Sequence, residues 1–173
     1  MACNLTSGRS LPCKDSVGGI KRVLMADYGT LGTLTVTSGE VTAISGTPDL
    51  FVFDVKGNSS LEQSITSDRA AGTTFYEQTL NLTLTKLDLA TQEQIRVISV
   101  ARPHVFVEDY NGNYFLIGAV HGADVSGGTI VTGSAMGELS GFTLVFTAQE
   151  TLPAYFVDAA VVTANESATQ INP

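Results

Sequence analysis

The residues with the chemistry to act on a substrate are few and scattered. His121 and Asp124 stand three apart in the run VHGAD, and Ser134 follows in GSAMG. These are the residue types of a relay in which a histidine takes a serine proton and a carboxylate orients the ring. A nucleophilic serine on a strand-to-helix elbow needs glycine two residues before it and two after. Gly133 directly precedes Ser134, so the serine is one position early and the pattern is not met. His104 has no acid or ligand partner beside it. Hydrogen bonding at an edge or in a loop is the role predicted for both histidines, because proximity in sequence does not make a site. Glu108 and Asp109 are adjacent carboxylates, but neighbours in a strand point to opposite faces, and a solvated turn is predicted there.

Metal and cofactor chemistry fares no better. A structural zinc site takes four ligands, usually from closely spaced pairs. Cys3 and Cys13 with two distant histidines do not supply them. Free thiols in a reducing compartment are predicted, with a disulfide formed after release from a cell as the alternative. Gly127-Gly128 lacks the Lys-Ser/Thr that completes a phosphate-binding loop. The N-x-S/T triplets at Asn4, Asn58, Asn81 and Asn165 carry no meaning without an export signal, and residues 1–14 contain no apolar core for one. The reading is therefore no catalytic residue, no metal and no cofactor, in a chain made in a cytoplasm.

Composition points to a structural β-protein. The 173 residues suit one domain with a proper core. Hydrophobic residues make up 43% and charged ones only 15%, outside the disordered regime. Thr, Val, Phe and Tyr favour half-buried strands, and the 17 glycines favour turns and bulges. A net charge of −8 leaves no basic footprint for binding nucleic acid. No apolar run is long enough for a membrane span, so no membrane insertion is expected.

The elements follow from periodicity. Residues 1–19 read as an N-terminal arm, 20–156 as the β core and 157–173 as a flexible tail. Strands are predicted at 20–26, 34–36, 41–44 and 50–55, with a turn at Ser38-Gly39. Residues 59–73 (SSLEQSITSDRAAGT) read as a polar loop, too long for a hairpin turn and so functional or mobile. The cleanest alternation is 74–86. It puts Tyr76, Leu80, Leu82 and Leu84 on a core face, and Glu77, Thr79, Asn81, Thr83 and Thr85 on a wet face. One helix is predicted over about 88–101. Thr91 with Gln94 would cap it, Asp88 being the alternative, and Ala90, Gln94, Val97, Ile98 and Ala101 form its stripe, widened by Ile95. Pro103 ends it. Further strands are predicted at 104–108, 114–120, 129–132 and 142–147. Asn111-Gly112 turns the first two into a hairpin, and Gly127-Gly128 punctuates.

This order, with the segments VFVEDYNGNYFLIGAVHGADV and TGSAMGELSGFTLVFTAQE, resembles the bacteriophage tail tube (major tail) protein family. The resemblance runs over roughly residues 50–156. It rests on the turn 109–113 followed by Tyr114-Phe115-Leu116-Ile117-Gly118 and Gly122. The glycine-bounded connection 132–141, the closing strand 142–147 ending at Glu150, and Gly72-Thr73-Thr74-Phe75 leading into 79–84 complete it. It implies a β-sandwich of two antiparallel sheets flanked by one α-helix, with a long loop and terminal arms. The core fold would be similar to the tube protein of type VI secretion systems. It also implies homo-oligomeric, hexameric rings whose inner sheets join into a barrel, and whose stacking makes the conduit for DNA ejection. Partners would be the chain itself, the tape measure, tail tip and terminator proteins, and DNA passing without specific binding. The place would be the virion tail, after synthesis in the host bacterial cytoplasm. The polar segment 59–73 would then hold ring to ring through Ser59, Leu61, Glu62, Ile65, Asp68, Arg69 and Thr73. The wet face of 74–86 would line the lumen, with Glu62, Asp68 and Glu77 as its acids. The alternatives are another virion part (a capsid decoration, head–tail connector or tail terminator protein) and, further off, a carbohydrate-binding β domain, which the lack of Trp disfavours.

Overall fold

Strand-forming segments dominate the chain, and the computed structural model arranges them as two facing sheets. It describes residues 7–55 and 58–168. The elements among these are β1 (Ile20–Ala26), β2 (Leu34–Thr37), β3 (Glu40–Ile44), β4 (Phe51–Asp54), β5 (Ser60–Asp68), β6 (Thr73–Thr85), α1 (Leu89–Ile98), β7 (His104–Asp109), β8 (Tyr114–Ile117), β9 (Asp124–Val131), β10 (Gly141–Glu150), β11 (Tyr155–Val157) and α2 (Ala159–Asn165). The large sheet has the order β2-β3-β11-β8-β7-β1-β4, and the small one β5-β6-β10-β9. The mostly-β, sandwich-like architecture is the one expected. The large sheet is mixed rather than wholly antiparallel, because β11 runs parallel to β3.

Each sheet reads as its environment demands. The small sheet alternates. In β6 and β10, Leu80, Leu82, Leu84, Phe142, Leu144 and Phe146 are buried between the sheets against Val23, Val105, Val107 and Ile117. The large sheet is covered on both faces. Its second face packs Leu24, Phe106, Leu116 and Leu50 under Val161 and Val162 of α2. That is why β1 and β7 read as nearly continuous apolar runs rather than alternating ones.

Several expectations need correction. Residues 59–73 are not a loop. Residues 60–68 form β5, paired with β6 from Ser60↔Asn81 to Asp68↔Thr73, and only 69–72 turn. The exposed distal half of this strand is polar on both faces apart from Ile65, and that hid its two-residue period. The tail is not wholly free either. Asp158 caps α2, which docks through Val161 and Val162, while Leu50 bonds Asn165 and Ser167 backbones. Residues 169–173 lie outside the described residues. The single flanking helix is therefore two. The cap of α1 is Asp88, whose carboxylate accepts from the Thr91 N–H at 2.9 Å, and of the expected stripe the helix buries Ile95 and packs Ile98 on the core while Val97 is exposed. Gly127-Gly128 lies inside β9, not between elements. A Cβ at Gly128 would overlap the Thr143 carbonyl, so only glycine fits this close pairing with β10.

Glu108, expected in a solvated turn, is buried in β7. It accepts from Lys21 Nζ at 2.7 Å and from Arg22 Nε. Arg22 also reaches Glu166 at 2.9 Å and the Tyr114 hydroxyl at 3.1 Å, so one guanidinium joins β1, β7, β8 and the segment after α2. Burial opposes ionisation of Glu108, but the Lys21 and Arg22 hydrogen bonds prevail and hold its carboxyl below the ordinary value. Breaking such a pair from one side strands a buried charge. Arg22→Ala is expected to lower stability by about 3 kcal/mol, read as an earlier urea midpoint. The double change Arg22→Met with Glu108→Gln is expected to recover most of that loss, since the buried carboxylate is gone and Glu166, left without Arg22, is partly open to water.

Candidate functional site

The outer face of the small sheet is the surface with the most unusual chemistry. Residues directly opposite in a ladder share a face, so the registers assign every position. β6 contributes Glu77, Thr79, Asn81, Thr83 and Thr85. β10 adds Thr143, Val145, Thr147 and Gln149, β5 adds Ser60, Glu62, Ser64, Thr66 and Asp68, and β9 adds Asp124 and Thr129. Neighbouring hydroxyls bond across strands, Thr129 to Thr143 at 2.6 Å and Ser126 to Thr147 at 2.9 Å. Glu62, Asp68, Glu77 and Asp124 are the acids of this face, and none of the four strands contains a Lys or Arg. The four strands thus present hydroxyls and negative charges without a cation of their own, and Arg102, from the segment before β7, reaches Asp124 at 3.9 Å on the β9 border.

Both borders of this face are open. β5 and β9 are the sheet's edge strands, nine and eight residues long. Neither carries the Lys or Pro that commonly blunts an edge. Among the described residues no strand pairs with their outward edges, which can accept another strand.

The structure separates the residues predicted to stack rings. Glu62 and Asp68 lie on the outer face with the predicted lumen residues. Asp68 also closes the turn, accepting from the Ala70 N–H at 2.8 Å, with Arg69 beside it. Ser59 is buried and accepts from the Thr83 N–H, so it serves the sheet itself. Leu61 packs against the core, and Ile65, four residues on, is 67% exposed. Thr73 begins β6. The β10 and β9 residues of the face were missed from sequence. Their signal was available in GFTLVFTAQE, where an apolar face at Phe142, Leu144 and Phe146 leaves Thr143, Thr147 and Gln149 opposite.

The residues that suggested catalysis are tied into a clasp joining the sheets. Glu150, at the end of β10, is buried and accepts from the Val120 and His121 N–H groups at 2.9 and 2.8 Å, and contacts His121 Nδ1 at 2.9 Å. Gln78 of β6 accepts from the Gly118 N–H at 3.1 Å. His104 is buried, with Nδ1 2.6 Å from the Gly118 carbonyl and Nε2 accepting from the Gly29 N–H. Tyr28 stacks on His104, and Arg102 lies over Tyr28. Ser134 is spent elsewhere, its N–H and hydroxyl both on Glu138. Asp124 belongs to the outer face. No Ser-His-Asp arrangement is assembled from these three. The clasp was illegible in sequence because Gln78 and Glu150 lie far along the chain from the loop they hold.

Among the described residues no group of three His, Cys, Asp or Glu is placed to hold a metal, and no helix is long and apolar enough to cross a membrane. Cys13 is exposed, while Cys3 lies outside the described residues, so their pairing is not addressed. One groove of about 420 Å³ runs between α1 and the β9 edge. Compared with known proteins, the chain matches no family model, no curated protein and no solved structure.

The clasp should respond to acid. Burial pushes the His104 ring below its ordinary value of 6.5, against the pull of the Gly118 carbonyl. The neutral ring with its proton on Nδ1 satisfies both partners, and protonating Nε2 would oppose it to the Gly29 N–H. The unfolded chain therefore takes up this proton first as pH falls. Stability declines from about pH 6.5 downward until the lowered folded value is passed. The carboxyls of Glu108 and Asp109 are also lowered, and they lose their contribution only below their ordinary values of 4.5 and 3.8. The thermal midpoint is thus expected to drop between pH 7 and pH 5. His104→Gln, less stable at pH 7, should show a smaller drop.

Proposed function

We propose that this chain is a virion structural protein, a phage tail tube subunit that assembles into stacked rings around a channel for genome delivery. The observation that carries the reading is the small sheet: four antiparallel strands without a Lys or Arg, one wet face of hydroxyls and acids, and two open edges. Copies related by rotation about a tube axis keep each strand's up or down sense. With an even number of strands, β9 of one copy meets β5 of the next antiparallel. The seam then continues the ladder without a break, and closure removes every free edge.

The dimensions fit duplex DNA. Six copies would close a barrel of about 24 strands, roughly 48 Å across at a strand spacing near 4.8 Å and a tilt near 40°. Side chains about 5 Å long on each side leave roughly 38 Å of lumen, ample for a duplex; a four-copy ring of about 16 strands would leave roughly 22 Å, too tight for one to slide. Each Lys or Arg on the wall would add phosphate affinity, and the acids repel phosphate instead. DNA would slide without sticking. The body of each ring would come from the large sheet, and other tail proteins such as the tape measure, tail tip and terminator would meet the tube along its bore and at its ends.

Negative-stain electron microscopy of the purified protein tests this reading, with rings or tubes of about 40 Å bore expected at high concentration. A protein that stays monomeric there, and in the presence of tail tip proteins, overturns it. Charge reversal on the proposed wall gives a second test. Glu62→Lys with Glu77→Lys is expected to give assemblies that retain duplex DNA at low salt, with retention falling steeply as salt rises. The unaltered assemblies should retain none.

A further inference from the structure

The groove between α1 and β9 has a shape and position that call for an occupant. Its floor is the edge strand itself at Gly127-Gly128, of which Gly128 holds the interior-facing position opposite Leu144. Its sides are Ile95 and Arg96 of α1, with Val125 and Ile130 of β9. Ile130 is 58% exposed. The inner side chains of β9 point beneath the helix, since Val125 and Ile130 pair with the buried Phe146 and Phe142. An unpaired strand edge and an apolar trough therefore lie side by side.

The opposite border of the same sheet carries a match. On β5 the side chains facing the sandwich interior are Leu61, Gln63 and Ile65. Leu61 packs on the core and Gln63 accepts from the Ala154 N–H, but Ile65 projects with 67% of its surface exposed. A β-branched apolar residue on an open edge has nothing to bury it in a single copy. If a second copy adds its β5 to this β9, its interior-facing residues continue the interior face of the sheet, and that face is the one roofed by α1.

We infer that the α1–β9 groove is the seat for Ile65 of a second copy of this chain, and that this contact anchors the seam between neighbours. The inference rests on the tube reading and adds to it the residues that lock one subunit to the next. α1 becomes the roof of an interface, and the trough between it and the β9 edge becomes the space that a neighbour's isoleucine fills. Backbone pairing alone sets direction. A side chain that must drop into a trough of limited length also sets register, because sliding by one residue turns Ile65 to the channel face.

Disulfide trapping in a background of Cys3→Ser and Cys13→Ser tests the placement. Ile65→Cys is combined with Ile130→Cys or with Val125→Cys, and assemblies are oxidised with copper phenanthroline. Bridging requires Cα atoms within about 7 Å. A ladder of covalent oligomers is expected from at least one of these pairs, and none from Ile65→Cys with Val36→Cys, whose second site lies on the far edge of the other sheet. In parallel, Ile65→Asp should raise the concentration needed for assembly about tenfold or more, while Ile65→Val largely preserves it. Circular dichroism should show both variants folded, because the site is exposed in the single copy. If the unaltered protein assembles but Ile65→Asp assembles equally well, or neither groove pair bridges, the seat is wrong and the tube reading stands. If the unaltered protein never assembles, both fall.

Discussion

The antiparallel ladder between β6 and β10 constrains the rest of the molecule. It runs from Gly141↔Thr85 to Glu150↔Tyr76 with no bulge. Such a ladder admits one register, because a slip of one residue would turn either Leu80, Leu82 and Leu84 or Phe142, Leu144 and Phe146 into water. Burying each of these is worth about 1.5–3 kcal/mol, so the register is held by several such terms at once. The same alternation then dictates the other face. Once the leucines and phenylalanines point inward, the threonines have nowhere to go but outward. The apolar core and the hydroxyl surface are thus two results of one pairing.

The large sheet plays a different part. Covered on both faces, it supplies a rigid body to which the small sheet is fixed by the apolar core and by a few buried polar groups. Gln78 and Glu150 reach from the small sheet to the loop after β8, where His104 of β7 also bonds Gly118. Arg22 and Glu108 do the same work on the opposite face, holding the segment after α2. Buried polar bonds of this kind add modest net stability, but each is expensive to leave half made. They therefore select one orientation of the sheets and loops over near alternatives.

The legibility of the fold tracked the strength of alternation. Residues 20–26 could be read to the residue and the strands of the hairpin around Ser38-Gly39 to within one residue, because apolar runs and a turn with positive φ at both central positions leave little choice. β5 could not. Its distal half is exposed on both faces, so no apolar period marks it, and its strand character comes from pairing with β6 rather than from its own pattern. α2 was missed because a short helix of small and β-branched residues carries little propensity and forms by docking Val161 and Val162. The wet face of β6 was legible residue by residue. The larger surface of which it is part needed the order of strands, which places Asp124 of β9 on the same face as Glu77 although they are far apart in sequence. Polar contacts between distant residues, such as Glu150 with His121, leave no local trace at all.

The charge on that face also bears on how copies would meet. Each border carries an acid, Glu62 on β5 and Asp124 on β9; neither strand contains a cation, and the Arg102 that lies 3.9 Å from Asp124 belongs to the same copy. Joining two copies through these edges therefore gains no salt bridge and brings like charges closer. The favourable terms left are backbone hydrogen bonds, which are directional, and apolar burial under α1, which is not. Their balance against repulsion depends on ionic strength, since the Debye length shrinks from about 30 Å at 0.01 M to about 8 Å at 0.15 M salt. In the proposed tube these acids would act in two directions. They would hold free copies apart in dilute, low-salt surroundings, where unblunted edges could otherwise pair at random. In a closed ring the same charges would keep the bore from binding what passes through it.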